Sequence, residues 1–206
     1  MLLVLIAASA AVAAKDLPTP GTYAMHTGMA HNGSWGLTIG YGHGGDQSLV
    51  SKVNATTDPK ASFAVGPGLS NTTGTVSFES TASPGHYLIQ TGYEAWVVLM
   101  DKATIMQNGS DPAAAEFLLH TDKALPGWFA VEATGREKGK FWTARKDQGS
   151  EVGGYPVRIE GIGDTCAPKT GCQSFKFGPA GGKPPSPSPP PLPVPAISPS
   201  DCGTAA

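Results

Sequence analysis

Apolar residues in this chain recur in short alternating runs bounded by glycine and polar turns, and the runs come in three sets. Ser62-Phe63-Ala64-Val65-Gly66-Pro67-Gly68 returns as Ser174-Phe175-Lys176-Phe177-Gly178-Pro179, with Glu116-Phe117-Leu118-Leu119 between them. Phe63 to Phe117 is 54 positions and Phe117 to Phe175 is 58. Tyr23-Ala24-Met25, Phe78-Glu79-Ser80 and Phe129-Ala130-Val131 open the sets. Trp35-Gly36-Leu37, Tyr87-Leu88-Ile89 and Phe141-Trp142-Thr143 make the second runs. Leu49-Val50, Ile105-Met106 and Val157-Arg158-Ile159 precede each phenylalanine. Short period-2 runs between turn signals read as strands. Self-similarity at this period signals one supersecondary unit used three times, none able to bury its apolar face alone.

The middle set predicts strands over Thr75 to Ser80, His86 to Thr91, Trp96 to Met100 with Thr104 to Gln107 beyond, and Glu116 to Thr121. Three such units, about 20–70, 71–126 and 127–180, can close a barrel and cap one end with hairpins. Closure removes the sheet edges that invite aggregation. The expected fold is therefore all-β, a β-trefoil, with a β-sandwich as the alternative. No stretch keeps apolar positions at helical spacing long enough to demand a helix.

Composition sharpens this. The 206 residues hold 27 glycines and 19 prolines with only 15% charged, as a turn-rich β domain requires. A formal charge of −2 gives no global reason to bind nucleic acid or an anionic membrane, so neither is expected as a partner. Residues 1–14 (MLLVLIAASAAVAA) form an apolar run ending in small residues, read as a secretory signal peptide although no Lys or Arg precedes it. Four N-x-[ST] sequons, at Asn32, Asn54, Asn71 and Asn108, fall in loop-like stretches and predict N-glycosylation of a secreted protein. Cys166 and Cys172 flank a Pro- and Gly-bearing loop that suits a local disulfide, which leaves Cys202 for a partner elsewhere.

Residues 183–206 depart from the 15–182 domain. Nine of the nineteen prolines crowd into PPSPSPPPLPVPAISPS, which predicts an extended polyproline-II rod or linker. The Ser-Pro and Pro-Pro-Pro pattern resembles the hydroxyproline-rich glycoproteins of plant and green-algal walls. That resemblance implies hydroxylation and arabinosylation at Pro184, Pro185, Pro187, Pro189, Pro190 and Pro191.

A second resemblance lies within the repeats. Phe63 to Leu69 (FAVGPGL), Val76 to Ser80 (VSFES) and Pro84 to Leu88 (PGHYL) are similar to the arabinose-binding β-trefoil domain of B-type α-L-arabinofuranosidases. The resemblance implies a secreted, non-catalytic carbohydrate-binding module with up to one arabinofuranose pocket per unit. The family's His after Tyr-Leu-Arg falls here on Gln90 and its Arg on Ile89. Its aspartate three positions before the strand Phe falls on Lys60, Ala114 and Cys172.

A sugar site needs an aromatic face and directed polar groups. His86, Tyr87, Gln90, Tyr93 and Asp101 in the middle unit are close enough in sequence to meet on adjoining strands. Trp142, with Arg145 and Asp147, is the candidate in the third. The alternative places Tyr87 and Trp142 in the core and makes Asp101 the start of a turn. Met25, His26, Met29, His31 and His43 form a soft-ligand-rich stretch of the kind that holds copper, but His and Met are equally plain surface and filler residues, so no metal site is expected. Basic residues around Phe141 and Trp142 (Arg136, Lys138, Lys140, Arg145, Lys146) suit an acidic polymer or the solvated face of a hairpin. No nucleophile–base or zinc motif appears, so neither enzyme activity nor a cofactor is expected. The main expectation is a carbohydrate-binding module for arabinose-containing polysaccharide or glycoprotein glycans outside the cell. Its rival is a structural glycoprotein that assembles through its trefoil head, its tail and Cys202.

Overall fold

Among the described residues, twelve strands fall into three sets of four. In the first unit these are β1 (Gly21–Thr27), β2 (Trp35–Gly42), β3 (Gly45–Ser51) and β4 (Ser62–Pro67). The second has β5 (Val76–Ser80), β6 (His86–Gln90), β7 (Val97–Asp101) and β8 (Phe117–His120). The third has β9 (Ala130–Ala133), β10 (Phe141–Ala144), β11 (Tyr155–Glu160) and β12 (Phe175–Pro179). The computed structural model describes residues 18–28, 35–42, 45–51, 58–91, 95–107, 111–145, 154–162 and 171–180.

The first and fourth strands of each unit make the barrel: β1 pairs with β4, β4 with β5, β5 with β8 and β8 with β9. A bridge between Phe129 and Phe175 leads to β12, and β12 pairs with β1 to close the ring. The hairpins β2–β3, β6–β7 and β10–β11 cap one end. Their third strands meet around the axis, with Gln47 opposite Val98, Pro156 opposite Leu49 and Trp96 opposite Arg158. This is the β-trefoil the pattern predicts.

Register makes the pseudo-threefold explicit. Phe63 pairs with Ser80, Phe117 with Ala133 and Phe175 with Thr27. All three phenylalanines are buried in one core. Each follows a 3-10 turn, at Pro59–Ala61, Pro112–Ala115 and Gly171–Gln173. Two of these turns start on an aspartate followed by proline. Asp58 accepts the Lys60 N–H at 2.9 Å and Asp111 accepts the Ala113 N–H at 3.1 Å. A carboxylate at the cap satisfies an orphan donor, and proline at the first position presets the backbone.

Two sequence expectations are corrected. Ile105-Met106 does not take the strand position of Leu49-Val50 and Val157-Arg158-Ile159; Val98-Leu99 does. Within Thr104 to Gln107 the chain is not a strand either, because Asp101 caps a one-turn helix α1 (Lys102–Ile105) by accepting the Thr104 N–H. Second, Trp142 is 0% exposed. From the registers it occupies the place of Leu37 and Leu88, and its ring sits 4.9 Å from that of Phe117 and 5.3 Å from that of Phe78. Phe141 is also buried, so the basic run of the third unit presents no aromatic faces.

Candidate functional site

Alternation along the β6–β7 hairpin splits the predicted site residues between two faces. Leu88, Val97 and Leu99 belong to the main core, and His86, Gln90 and Asp101 share their face by period. Tyr87, Ile89, Val98 and Met100 point the other way. There Ile89 packs with Ile105 and Ala115, and Leu69, Tyr87, Val98 and Met100 lie half-buried against them. Tyr93, Cys166, the sequons at Asn32, Asn54 and Asn108 and the proline-rich tail lie outside the described residues, as do Met29, His31 and His43.

On the outer face Tyr87 meets a residue the sequence reading passed over. The β5–β6 register sets Glu79 opposite Tyr87, and the Tyr87 hydroxyl donates to Glu79 Oε2 at 3.1 Å. The other oxygen, Oε1, accepts the Gly85 N–H at 2.7 Å. Gly85 sits in the β5–β6 turn at φ +81°, a left-handed conformation that glycine adopts without strain. Burial, then the Glu79 charge and the hydrogen bond to it, push the Tyr87 phenol up to about 12. At neutral pH Tyr87 is therefore a neutral donor whose proton points at Glu79. Its lone pairs and the remaining capacity of the carboxylate are left to accept from hydroxyl groups. Alternation in Val76-Ser77-Phe78-Glu79-Ser80 does mark Glu79 as an outward residue; only its partner across the pairing was hidden.

His86 and Asp101 face each other across the hairpin. Asp101 is occupied locally, accepting from Thr104 N at 2.9 Å and from Thr104 Oγ1 at 2.6 Å. Those bonds hold its carboxyl below the usual range, with the His86 charge a smaller contributor. Starting a turn is thus its evident task. Gln90 is buried, and neither its amide nitrogen nor its oxygen has a hydrogen-bond partner among the described residues. It lies toward the pseudo-threefold axis, away from Tyr87. Trp142, at the core, offers no face to a ligand.

The equivalent positions in the other units carry different chemistry. Glu132 corresponds to Glu79 and Phe141 to Tyr87, and Glu132 is drawn to His120 Nε2 at 2.6 Å and Lys123 Nζ at 3.8 Å. Lys123 also sits 4.8 Å from the Phe141 ring centroid and covers it. In the first unit the pair is His26 and Gly36. His26 lies against Gly178, where a Cβ would fall 2.7 Å from Nε2, while Met25 is in the core. The soft-ligand stretch is thus split, and no cluster able to hold a metal occurs among the described residues. Of the described units, the middle one combines a half-buried tyrosine with a carboxylate acceptor.

Residues 40–110 match the model of the Alpha-L-arabinofuranosidase B (ABFB) domain. That segment runs from β2 through α1 and contains Glu79, Gly85 and Tyr87. A GH54 α-L-arabinofuranosidase superposes with a TM-score of 0.57 at 13% identity, covering 81% of this chain and 32% of that one. The Rhizoctonia solani agglutinin gives 0.51 at 16% identity, covering 78% and 96%. A mosquitocidal holotoxin gives 0.56 at 10% identity, covering 78% of this chain and 17% of its own. The chain thus spans about a third of the arabinofuranosidase and less of the toxin. At these identities the likeness is one of fold. No curated protein sequence matches the chain.

Proposed function

We propose that the trefoil is a non-catalytic carbohydrate-binding module of a secreted protein, taking arabinofuranose-containing glycans on the outer face of its middle unit. The observation that carries this reading is the Tyr87–Glu79 pair inside the segment that matches the ABFB domain. The tyrosine ring supplies an apolar platform for the C–H face of a sugar. Glu79 and the phenol oxygen accept from its hydroxyls, and the apolar patch of Ile89, Val98 and Met100 limits water at the rim. Tyr93 lies outside the described residues and carries no part of this proposal. His86, Asp101 and Gln90 serve the hairpin rather than the ligand.

Affinity electrophoresis against arabinan, arabinosylated hydroxyproline peptides, xylan and polygalacturonate tests the proposal. Retardation by the first two, lost in Tyr87→Ala, supports it; equal retardation of the wild type and the variant refutes the assignment. A disulfide between Cys172 and Cys166, the latter outside the described residues, belongs to the same secreted reading. The rival reading, assembly through residues 183–206 and Cys202, rests on residues outside the described part.

A further inference from the structure

We infer that Asn71 carries an N-linked glycan. Asn71-Thr72-Thr73 is a sequon without proline, set in the turn that joins β4 to β5, and residues 70–74 are all exposed. Asn71 has φ 59°, a left-handed conformation that asparagine tolerates. Its backbone N–H bonds to the Gly68 carbonyl at 3.0 Å. Its side-chain amide takes part in none of the hydrogen bonds among the described residues.

Other groups hold the turn. Gly68 N–H donates to the Thr75 carbonyl at 3.1 Å, and Thr75 Oγ1 donates to the Thr72 carbonyl at 2.7 Å. The buried Glu116 carboxylate, from the next 3-10 turn, accepts from the Ser70 N–H and from Thr75 Oγ1. A bulky group on Asn71 Nδ2 therefore displaces no contact on which the turn depends. Leu69, two residues back, packs on Ile89, Ile105 and Ala115, so the glycan would stand at the edge of the Tyr87 face.

The donor is of the polyprenyl-diphosphate-linked oligosaccharide class. A bond forms between Asn71 Nδ2 and the anomeric carbon as the bond from that carbon to the diphosphate oxygen breaks. The amide gives up one proton and the lipid diphosphate leaves. The inference requires passage through a secretory compartment and is independent of sugar binding at Tyr87.

The test expresses the full chain with its own N-terminal segment in a eukaryotic secretory host. The peptide spanning Asn71 is then analysed by mass spectrometry after glycosidase release in heavy-oxygen water. Asn71 is expected as labelled aspartate in the wild type and in Thr73→Ser, and as plain asparagine in Thr73→Val, with thermal melting unchanged by either exposed substitution. An unmodified Asn71 peptide from wild-type chain, secreted or retained, overturns the inference, as does label persisting in Thr73→Val.

Discussion

Tyr87 donates its hydroxyl hydrogen bond to Glu79 across the β5–β6 pairing, 3.1 Å from oxygen to oxygen. The folded phenol titrates above the ordinary tyrosine value of 10.0, at about 12. A proton held more tightly in the folded state contributes stability that is fully present below the unfolded value and lost as pH rises from about 10 towards 12. A phenolate-absorbance titration should show one tyrosine ionising last, near 12. Glu79→Gln should bring that step earlier, and Tyr87→Phe should delete it. An unchanged late step in Tyr87→Phe would assign it to another residue.

Trp142 fills the third-unit place of Leu37 and Leu88 in the core. Trp142→Ala should destabilise the domain by about 3–5 kcal/mol in urea unfolding, the usual cost of emptying a large aromatic site. Trp142→Leu, which copies the other two units, should cost less. In both folded variants sugar binding should survive. Loss of binding by well-folded Trp142→Leu would return Trp142 to the ligand site.

Much of the fold was legible because burial in a trefoil imposes one rhythm on every unit. Phe63, Phe117 and Phe175 are alike since each follows a 3-10 turn into the same core layer. The site was less legible, because sequence proximity does not say which way a strand residue faces. His86 and Tyr87 are neighbours in the chain and lie on opposite faces of the hairpin. Glu79, eight positions from Tyr87, is its true partner, and only the register reveals that. Asp58 and Asp111 cap the 3-10 turns ahead of Phe63 and Phe117, a task that only the backbone reveals.

Gln90 is a polar exception among its unit equivalents Ile39 and Ala144, and both ends of its amide are unpartnered among the described residues. A buried group without partners keeps its full desolvation cost. Gln90→Leu, similar in volume and apolar, should raise stability by roughly 1–3 kcal/mol in urea unfolding. A fall in the midpoint would mean that the amide is satisfied in solution.

Glu116 ties the middle unit to the turn after β4, and Gly68 is required beside it because a Cβ there would fall 2.8 Å from Glu116 Oε1. Glu116→Ala should cost about 1.5–3 kcal/mol, the usual worth of hydrogen bonds to a charged group. Hydrogen exchange at the Ser70 amide should accelerate selectively. Uniform acceleration across the barrel, with no excess at Ser70, would deny Glu116 this local role.

Calorimetric titration of an arabino-oligosaccharide into wild-type protein and Tyr87→Ala bears most directly on the binding face. Saturable heat from the wild type at millimolar sugar, weakened at least about tenfold in a folded Tyr87→Ala (roughly 1.4 kcal/mol), is the predicted result. No heat from the wild type, or identical isotherms for the two proteins, would contradict it.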